Sequence, residues 1–341
     1  GGVVGNVCLP MVIQDCFYGS EENRYTISSS GKMGYVGGIV GCSGYGSCSL
    51  SLINCDSYAD ILSAGDLIYA GGFIGRATGS FFIGEEGKED SYCHSYGRID
   101  AKGKVSFAGG IVGNSEDAGF AIYGSCFYGT IGKEAASAET TGGMIGQVSG
   151  TKGREGIIKD CTQYGQIYHA KLSVGGFVGR LTTMSLLLEN SSNGVIGEEG
   201  SGDIHVADGG VGVGGFIGGC IGYPVLNFYA SINQGDIIIE KKASYVGGFI
   251  GTGGSMKAVI GDEADAGRAC FNYGDIRGES ASVAYLGGIV GYLSKSGELY
   301  VYYAENHGAI GAGMDLANWA GGIIGATEVT SGFEASSGEL V

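Results

Sequence analysis

Apolar residues along this chain are organised by a block of two glycines, two apolar residues and a third glycine. The block occurs ten times, at intervals of 33 to 40 residues, and begins at Gly1, Gly37, Gly71, Gly109, Gly142, Gly175, Gly214, Gly247, Gly287 and Gly321. Around it, small or β-branched residues such as Val36, Gly38 and Val40 alternate with a second set that includes Tyr35. This two-residue period predicts a β-strand, and because the second set is also apolar, it predicts a strand covered on both faces.

A second block lies between the glycine blocks. It reads Tyr-Gly or a close relative, usually followed two residues later by Ile, and it begins at Tyr58, Tyr96, Tyr128, Tyr164, Asn193, Gln234, Tyr273 and His307. In the copy at Asn193 the isoleucine is Ile196, and Tyr18-Gly19 is a degenerate ninth copy. The distance from a double glycine to the next Tyr-Gly varies from 17 to 26 residues, whereas the return distance is 11 to 14 in seven of nine cases. The longest insertions are therefore expected after the double-glycine strand.

Short apolar runs, such as residues 50–53 and 81–83, indicate a third strand in each repeat. Three short strands with glycine-rich corners and no amphipathic helix predict an all-β fold, a parallel β-helix-like solenoid of about ten coils. The even spread of repeats over residues 1–341 predicts a single elongated domain without a linker. A β-propeller is the alternative, but ten blades and a missing fourth strand count against it.

The second glycine of each block falls in the small, inward-facing set. A side chain there is expected to clash with the coils above and below. Gly176, in the middle of the stack, is the position at which this expectation is most direct.

Composition narrows the classes of partner. The chain has 71 glycines, only 2 prolines and 44% apolar residues, which excludes collagen and a disordered linker. A net charge of −16 with only 19 Lys and Arg argues against nucleic acid and anionic membrane surfaces. Residues 209–235 are uncharged but contain repeat blocks, so no membrane insertion is expected. Residues 1–14 lack the basic start of a secretory signal, and since the chain opens inside a repeat block, a longer parent protein is one expectation.

Six of the ten cysteines lie two or three residues before a Tyr-Gly block, where other copies have Ser, Ala or Asn. They are Cys16, Cys55, Cys93, Cys126, Cys161 and Cys270. This interchange predicts a buried column of reduced thiols on successive coils. Disulfides are the alternative, with Cys42 and Cys48 as the pair best placed for one, and metal binding is disfavoured because no paired C-x-x-C modules exist.

The residue types needed for catalysis are sparse. The histidines are His94, His169, His205 and His307. They do not form a triad pattern, and His307 replaces the tyrosine of the second block. The recurrent glycines lack the spacing and the lysine of a phosphate loop. No catalytic residue, cofactor or metal site is predicted.

Two acidic insertions stand out from this background. One insertion contains Glu85, Glu86, Glu89 and Asp90, and the other contains Asp262, Glu263 and Asp265. Calcium binding is conceivable for such loops, but neither has the D-x-D-x-D-G arrangement, and a solvated surface is the simpler interpretation.

The glycine block, preceded by an aromatic residue and alternating with segments such as Asn272-Tyr273-Gly274-Asp275-Ile276, resembles the GLUG motif. That motif occurs in bacterial adhesin-like surface proteins and in the non-catalytic part of immunoglobulin A metallopeptidases. The resemblance covers essentially the whole chain and implies a scaffold at the cell surface or outside the cell. The peptidase's H-E-x-x-H helix has no counterpart here, so the resemblance does not extend to protease activity.

The sequence therefore predicts a non-enzymatic adhesin that binds a host surface protein or glycan. Its partner is expected to contact residues 76–92 and 252–269, because exposed insertions on a rigid scaffold usually carry recognition. A rigid stalk within a larger secreted protein and a carbohydrate-active β-helix enzyme are the alternatives.

Overall fold

A computed structural model describes residues 1–44, 48–117, 119–135, 137–294, 296–328 and 333–335. The chain winds into a parallel β-solenoid of about nine turns, which confirms the fold class expected from the repeats. Each turn contributes to three parallel sheets, here named A, B and C.

The strands of each sheet stack in chain order along the solenoid. Sheet A contains Val4–Val7, Val40–Ser43, Ile74–Ala77, Val112–Glu116, Ile145–Ser149, Val178–Thr182, Ile217–Ile221, Ile250–Gly253, Val290–Leu293 and Ile324–Thr327. Sheet B contains Met11–Tyr18, Ser49–Ser57, Ser80–Ile83, His94–Ser95, Phe120–Tyr123, Cys126–Phe127, Glu155–Lys159, Thr162–Gln163, Ser185–Glu189, Ser192–Asn193, Val225–Tyr229, Ile232–Asn233, Lys257–Ile260, Cys270–Asn272, Glu298–Val301, Ala304–Asn306 and Phe333–Ala335. Sheet C contains Thr26–Ser29, Met33–Gly37, Asp60–Ser63, Leu67–Gly71, Ile99–Ala101, Lys104–Gly109, Thr130–Ile131, Ser137–Gly142, Gln166–Gly175, Ile204–Val206, Gly210–Gly214, Ile237–Ile239, Lys242–Gly247, Ile276–Arg277, Ser282–Gly287, Ile310–Ala312 and Leu316–Gly321.

Helix is confined to two short 3-10 turns in the described residues, Glu89–Ser91 and Ala266–Arg268. Neither turn has the length or the apolar character that a membrane crossing requires, and no other helix is present in that part of the chain.

The double-glycine block is a corner between sheets C and A, not the middle of one strand as its periodicity suggested. Met33–Gly37 ends at the first glycine, and Val40–Ser43 starts at the second apolar residue. Ile39 and Val40 are both fully buried, which a continuous strand with alternating faces does not permit. The corner explains why both apolar positions of the block are hydrophobic in every copy.

The grouping of the other strands also differs from the expectation. The cysteine column continues from the apolar run within sheet B, and the Tyr-Gly segment turns the chain into sheet C. Most coils join the apolar run to the cysteine position through two residues, the second of which has a positive φ. These second residues are Asp15, Asn54, Gly124, Asp160, Asn190, Ala230 and Tyr303. Asn, Asp and Gly predominate there because they tolerate the left-handed region best.

One column of polar side chains lies inside the solenoid. Asn193, Asn233, Asn272 and Asn306 stack in register at the end of sheet B. Each Nδ2 donates to the Oδ1 of the next residue, over 2.7, 2.6 and 2.6 Å. In a low-dielectric interior such a chain of hydrogen bonds satisfies groups that would otherwise be costly to bury.

The cysteine column has the expected place but one different member. Cys16 pairs in register with Cys55, and the backbone N–H of Cys55 approaches the sulfur of Cys93 at 3.3 Å. On the next coil, Ser125 occupies the column, because its Oγ accepts the Cys93 N–H. Cys126 instead pairs with His94 on the outward face, so its assignment to the column was wrong.

Thiol reactivity provides a direct check on this column. Cys161 and Cys270 of the column and Cys220 of sheet A are buried free thiols, and burial raises the pKa of Cys220 to about 12 and of Cys270 to about 11. We therefore expect the exposed Cys8 to react with a thiol reagent in the native protein and these three to react only after denaturation, which should expose at least six thiols. Cys42 is also a free thiol, so the Cys42–Cys48 bridge is not formed. Mass-spectrometric detection of disulfides within the column would contradict this arrangement.

Candidate functional site

The two acidic insertions share one local structure and one place in the coil. Residues 84–92 and 261–269 each replace the two-residue corner between the apolar run and the cysteine column. Each begins with an antiparallel bridge, Glu85 to Lys88 or Asp262 to Asp265, and continues into a 3-10 turn. The wider segments named from the sequence, 76–92 and 252–269, also contain the sheet B strands Ser80–Ile83 and Lys257–Ile260, so the insertions themselves are shorter.

Ion pairs connect these insertions to the coils between them. Lys159 bridges Glu86 and Glu189, with N–O distances of 2.8 and 3.6 Å. Arg268 bridges Glu189 and Asp262, with distances of 3.0 and 2.7 Å. The insertions are thereby held against sheet B, while other carboxylates, such as those of Glu89, Asp90 and Glu263, stay exposed. Nowhere in the described ranges do three or more His, Cys, Asp or Glu side chains group as a metal site would require.

The histidines are dispersed along the solenoid. Cys93 is fully buried, whereas its neighbour His94 lies on the opposite face near the rings of Tyr96 and Tyr128, so the two do not form a catalytic pair. His307 stacks on Tyr273 with ring centroids 4.9 Å apart. His205 stacks on Tyr168 at 4.5 Å. The side chain of His169 lies outside the described residues.

Two copies of the second block are shifted relative to the alignment read from the sequence. Ile204, not Ile196, stacks between Ile167 and Ile237, and Ile196 is 73% exposed. Residues 195–203 therefore contain an insertion that the block at Asn193 concealed, and this segment ends in register with Asp236 at Asp203. At the N-terminal end, Tyr18 pairs with Ser57, which places Gly19 rather than Tyr18 in register with Tyr58.

The tyrosines of the second block form a ring stack along the solenoid. Tyr58, Tyr96, Tyr128 and Tyr164 lie on successive coils, with centroid distances of 4.3, 4.8 and 4.4 Å. On the next coil the equivalent residue is Gly194, which donates its N–H to Gln163 as Tyr164 does to Phe127. The insertion 195–203 leaves the coil at this gap.

An open cleft of about 750 Å³ lies beside this insertion, on the outer face of sheet C. Its lining includes carboxylates, amides, rings and one guanidinium group, from residues Gln166, Tyr168, Glu198, Glu199, Ser201, Asp203, His205, Gln234, Asp236, Tyr273 and Arg277. Sequence reasoning did not identify this site. The signal that could have found it is the extra length between Gly194 and Ile204, which the false match at Ile196 hid.

Asp203 and Asp236 occupy adjacent rungs in the cleft. The Oδ1 of Asp203 accepts the Asp236 N–H over 2.9 Å, and the Oδ2 of Asp236 pairs with Nε of Arg277 at 3.0 Å. Burial and then the neighbouring charge of Asp236 raise the pKa of Asp203 to about 6. Ionisation of Asp203 at neutral pH therefore destabilises the folded protein.

Replacement of Asp203 by Asn tests this destabilisation. A carboxyl whose folded pKa lies above its unfolded value contributes stability that is present below about pH 4 and lost as the pH rises through about 6. We therefore expect Asp203→Asn to be more stable than the wild type at pH 7.5, with a higher melting temperature and a free energy of unfolding that is larger by about 1 kcal/mol after solvent screening. At pH 4 we expect no difference in stability. Asp275→Asn, which keeps the equivalent hydrogen bond to Ala309 at a more exposed site, controls for the loss of one acidic charge. An equal gain in stability at pH 4 and pH 7.5 would show that the charge of Asp203 does not destabilise the folded protein.

Comparison of the chain with protein-family models, with curated proteins and with solved structures gives no significant match. The fold and the cleft are therefore the basis for assigning a function.

Proposed function

We propose that the protein is a non-enzymatic binding scaffold of the cell surface or the extracellular space, which attaches to a host surface protein or glycan. The observation that carries the proposal is the contrast between uniform, closely packed coils and the insertions that interrupt them, at 84–92, 195–203 and 261–269. Solenoids bind partners through such insertions, because extra residues are accommodated only where the chain leaves the stack.

The paired insertions 84–92 and 261–269 are the proposed contact for the protein part of a host partner. They project from the same corner of the coil, several turns apart, and their ion pairs hold them in place before binding. A pre-organised surface loses less entropy on binding than a mobile one. Exposed carboxylates there favour a partner with a basic surface, and added salt should weaken the interaction.

Support for a surface location comes from the resemblance of the glycine block to GLUG repeats. A stalk would use the same rigid solenoid but would have no ligand of its own. The alternative of a carbohydrate-active enzyme would require bond cleavage by the carboxylates of the cleft.

Cell adhesion by a variant with both acidic insertions shortened tests the proposal. Residues 84–92 are replaced by Lys-Asp, the corner of residues 159–160, and residues 261–269 by Glu-Asn, the corner of residues 189–190. We expect beads coated with this variant to lose adhesion to host epithelial cells, while its melting temperature stays close to that of the wild type. A second variant, with charge-neutral insertions of wild-type length, separates the contribution of charge from that of shape.

Three results would contradict the proposal or its details. Absence of adhesion by the wild-type protein would favour the stalk. Full adhesion by the folded short-corner variant would show that the binding face lies elsewhere. Release of reducing ends from polysaccharides by the purified protein would favour the enzyme.

A further inference from the structure

The cleft beside the insertion 195–203 has the dimensions of a ligand site. Its volume of about 750 Å³ lies within the range of about 300–1,000 Å³ that is usual for such sites. A second cleft of about 210 Å³, lined by Tyr128 and Tyr164, lies on the other side of the insertion and shares Gln166 and residues 198–201 with the first. The two clefts are therefore neighbours along the solenoid, with residues 198–201 as their common wall.

The gap in the tyrosine stack lies between the two clefts. Among the described residues, Tyr164 has a ring stacked on it from Tyr128 alone, because Gly194 follows in the next rung. Aromatic residues resume three rungs later, with Tyr273 stacked on His307. Three rungs span about 14 Å, and the insertion leaves the coil within this interval, so that Tyr164 lines the smaller cleft and Tyr273 the larger one.

The insertion at the gap is firmly anchored at its base. Nε2 of Gln166 donates to the carbonyl of Gly200 over 2.8 Å, and Nδ2 of Asn193 donates to the carbonyl of Gly202 over 3.1 Å. Glu198 and Glu199 at its tip are exposed beside the cleft. The walls of the site therefore exist before a ligand binds.

The charge of the lining excludes acidic ligands. Four carboxylates, those of Glu198, Glu199, Asp203 and Asp236, face the cleft together with one guanidinium, and Arg277 is already paired with Asp236. Like charges desolvated together are strongly unfavourable, so phosphates, uronic acids and sialic acids are disfavoured.

Polar atoms of the lining remain available for hydrogen bonds. Hydroxyl groups both donate and accept, and they can therefore pair with the carboxylates and amides of the lining.

The backbone beneath the cleft does not offer an edge to a peptide. Ile204–Val206 and Ile237–Ile239 are paired with each other and with further strands on both sides. A peptide could not add a strand here. The apolar side chains of the lining, Val195, Ile196 and Ile238, are too few for the hydrophobic anchors that peptide recognition requires.

The geometry points to an oligosaccharide-binding cleft that takes extended glycans without acidic groups and prefers amino sugars. Carboxylates and amides pair with the hydroxyl and amino groups, and the ring of Tyr273, in the wall of the larger cleft, contacts the C–H face of a sugar residue. This inference rests on the proposed function and adds the ligand class and the site: the acidic insertions contact host protein, and the cleft contacts host glycan.

Binding to a glycan array containing neutral, amino, sialylated and uronic oligosaccharides tests the ligand class. Calorimetry at pH 7.5 then uses the amino or neutral tetrasaccharide with the strongest array signal as the probe. Two matched pairs of variants test the site. Asp236→Asn is compared with Asp60→Asn, since each carboxylate pairs with an arginine and accepts a backbone N–H, and Tyr273→Ala with Tyr35→Ala, since the two rings are 41% and 50% exposed. We expect at least a tenfold loss of affinity for the cleft variants and less than a twofold change for their controls.

Each outcome has a distinct meaning. Array signals confined to acidic glycans would overturn the inference and leave the proposed binding function intact. The same conclusion would follow if the array gave no signal while oligolysine displaced the wild-type protein from cells. Equal affinities in each matched pair would overturn the assignment of the site. Loss of cell adhesion in the short-corner variant with unchanged tetrasaccharide affinity would support both proposals, whereas absence of any adhesion and of any array signal would overturn both.

Discussion

Gly176→Val is expected to lower the free energy of unfolding by at least about 3 kcal/mol, the largest effect of any single substitution considered for this chain. A Cβ at this glycine would lie 2.1 Å from the carbonyl oxygen of Gly215 and 2.3 Å from Oδ1 of Asn193. The first obstacle is backbone of the next coil, which cannot move without disturbing the corner that Gly215 itself forms. Thermal or denaturant unfolding followed by circular dichroism measures the loss.

Gly34→Val is the matched control for this substitution. Gly34 lies in the sheet C strand Met33–Gly37, which ends at a double-glycine corner like the one that contains Gly176, but a Cβ at Gly34 would meet nothing within 4 Å. A valine in a strand is favoured by β propensity, and we expect a stability equal to or slightly above that of the wild type. Equal melting temperatures for the two variants would show that the double glycine is not required by close packing.

The steric requirement of the block explains why the fold could be predicted from sequence. All three glycines of the block at Gly37 have backbone atoms within 2.7 Å of the place a Cβ would occupy, and the same holds for the blocks that follow it on the interior coils. A requirement repeated on every coil produces a periodic signal, and the period of 33 to 40 residues then predicts a solenoid. The assignment of strands to sheets was less accurate, since a corner with two buried neighbours has the same local composition as a buried strand.

The cleft could not be predicted in the same way, because its residues do not recur. Asp203, Asp236 and Arg277 lie on different coils and are separated by 33 and 41 residues, so only the stacking register brings them together. The replacement of tyrosine by Gly194 and Gln234 on two successive coils, together with one insertion, defines the site. These departures from the repeat are informative only after the register is known.

The asparagine column shows a further limit of predicting this structure from its sequence. In the N-terminal coils the same position holds Ser57, Ser95, Phe127 and Gln163, so its sequence pattern is weak. Where asparagine does recur, in the C-terminal half, the amides of Asn233 and Asn272 each accept from one neighbour and donate to the other. The column therefore couples the coils through buried hydrogen bonds as well as through the sheets.

Asn233→Asp is expected to destabilise the protein by about 3 kcal/mol at pH 7, because it removes the donor from the middle of the column. Nδ2 of Asn233 donates to Oδ1 of Asn272 over 2.6 Å and approaches the carbonyl of Gly235 at 3.3 Å. A carboxylate of the same shape would present negative oxygen to both acceptors in a fully buried site.

The pH dependence of this variant separates lost hydrogen bonding from lost packing. The buried carboxyl would hold its proton more tightly in the folded than in the unfolded protein, so its cost is absent below the unfolded pKa of about 4 and grows as the pH rises. Protonated aspartic acid also regains one donor for Asn272. We therefore expect the difference in melting temperature from the wild type to narrow clearly between pH 7 and pH 4. Asn227→Asp, on the outward face of the sheet B strand Val225–Tyr229, should cost little at either pH. A difference that stays constant across this range would mean that packing, rather than the donor of Asn233, stabilises the column.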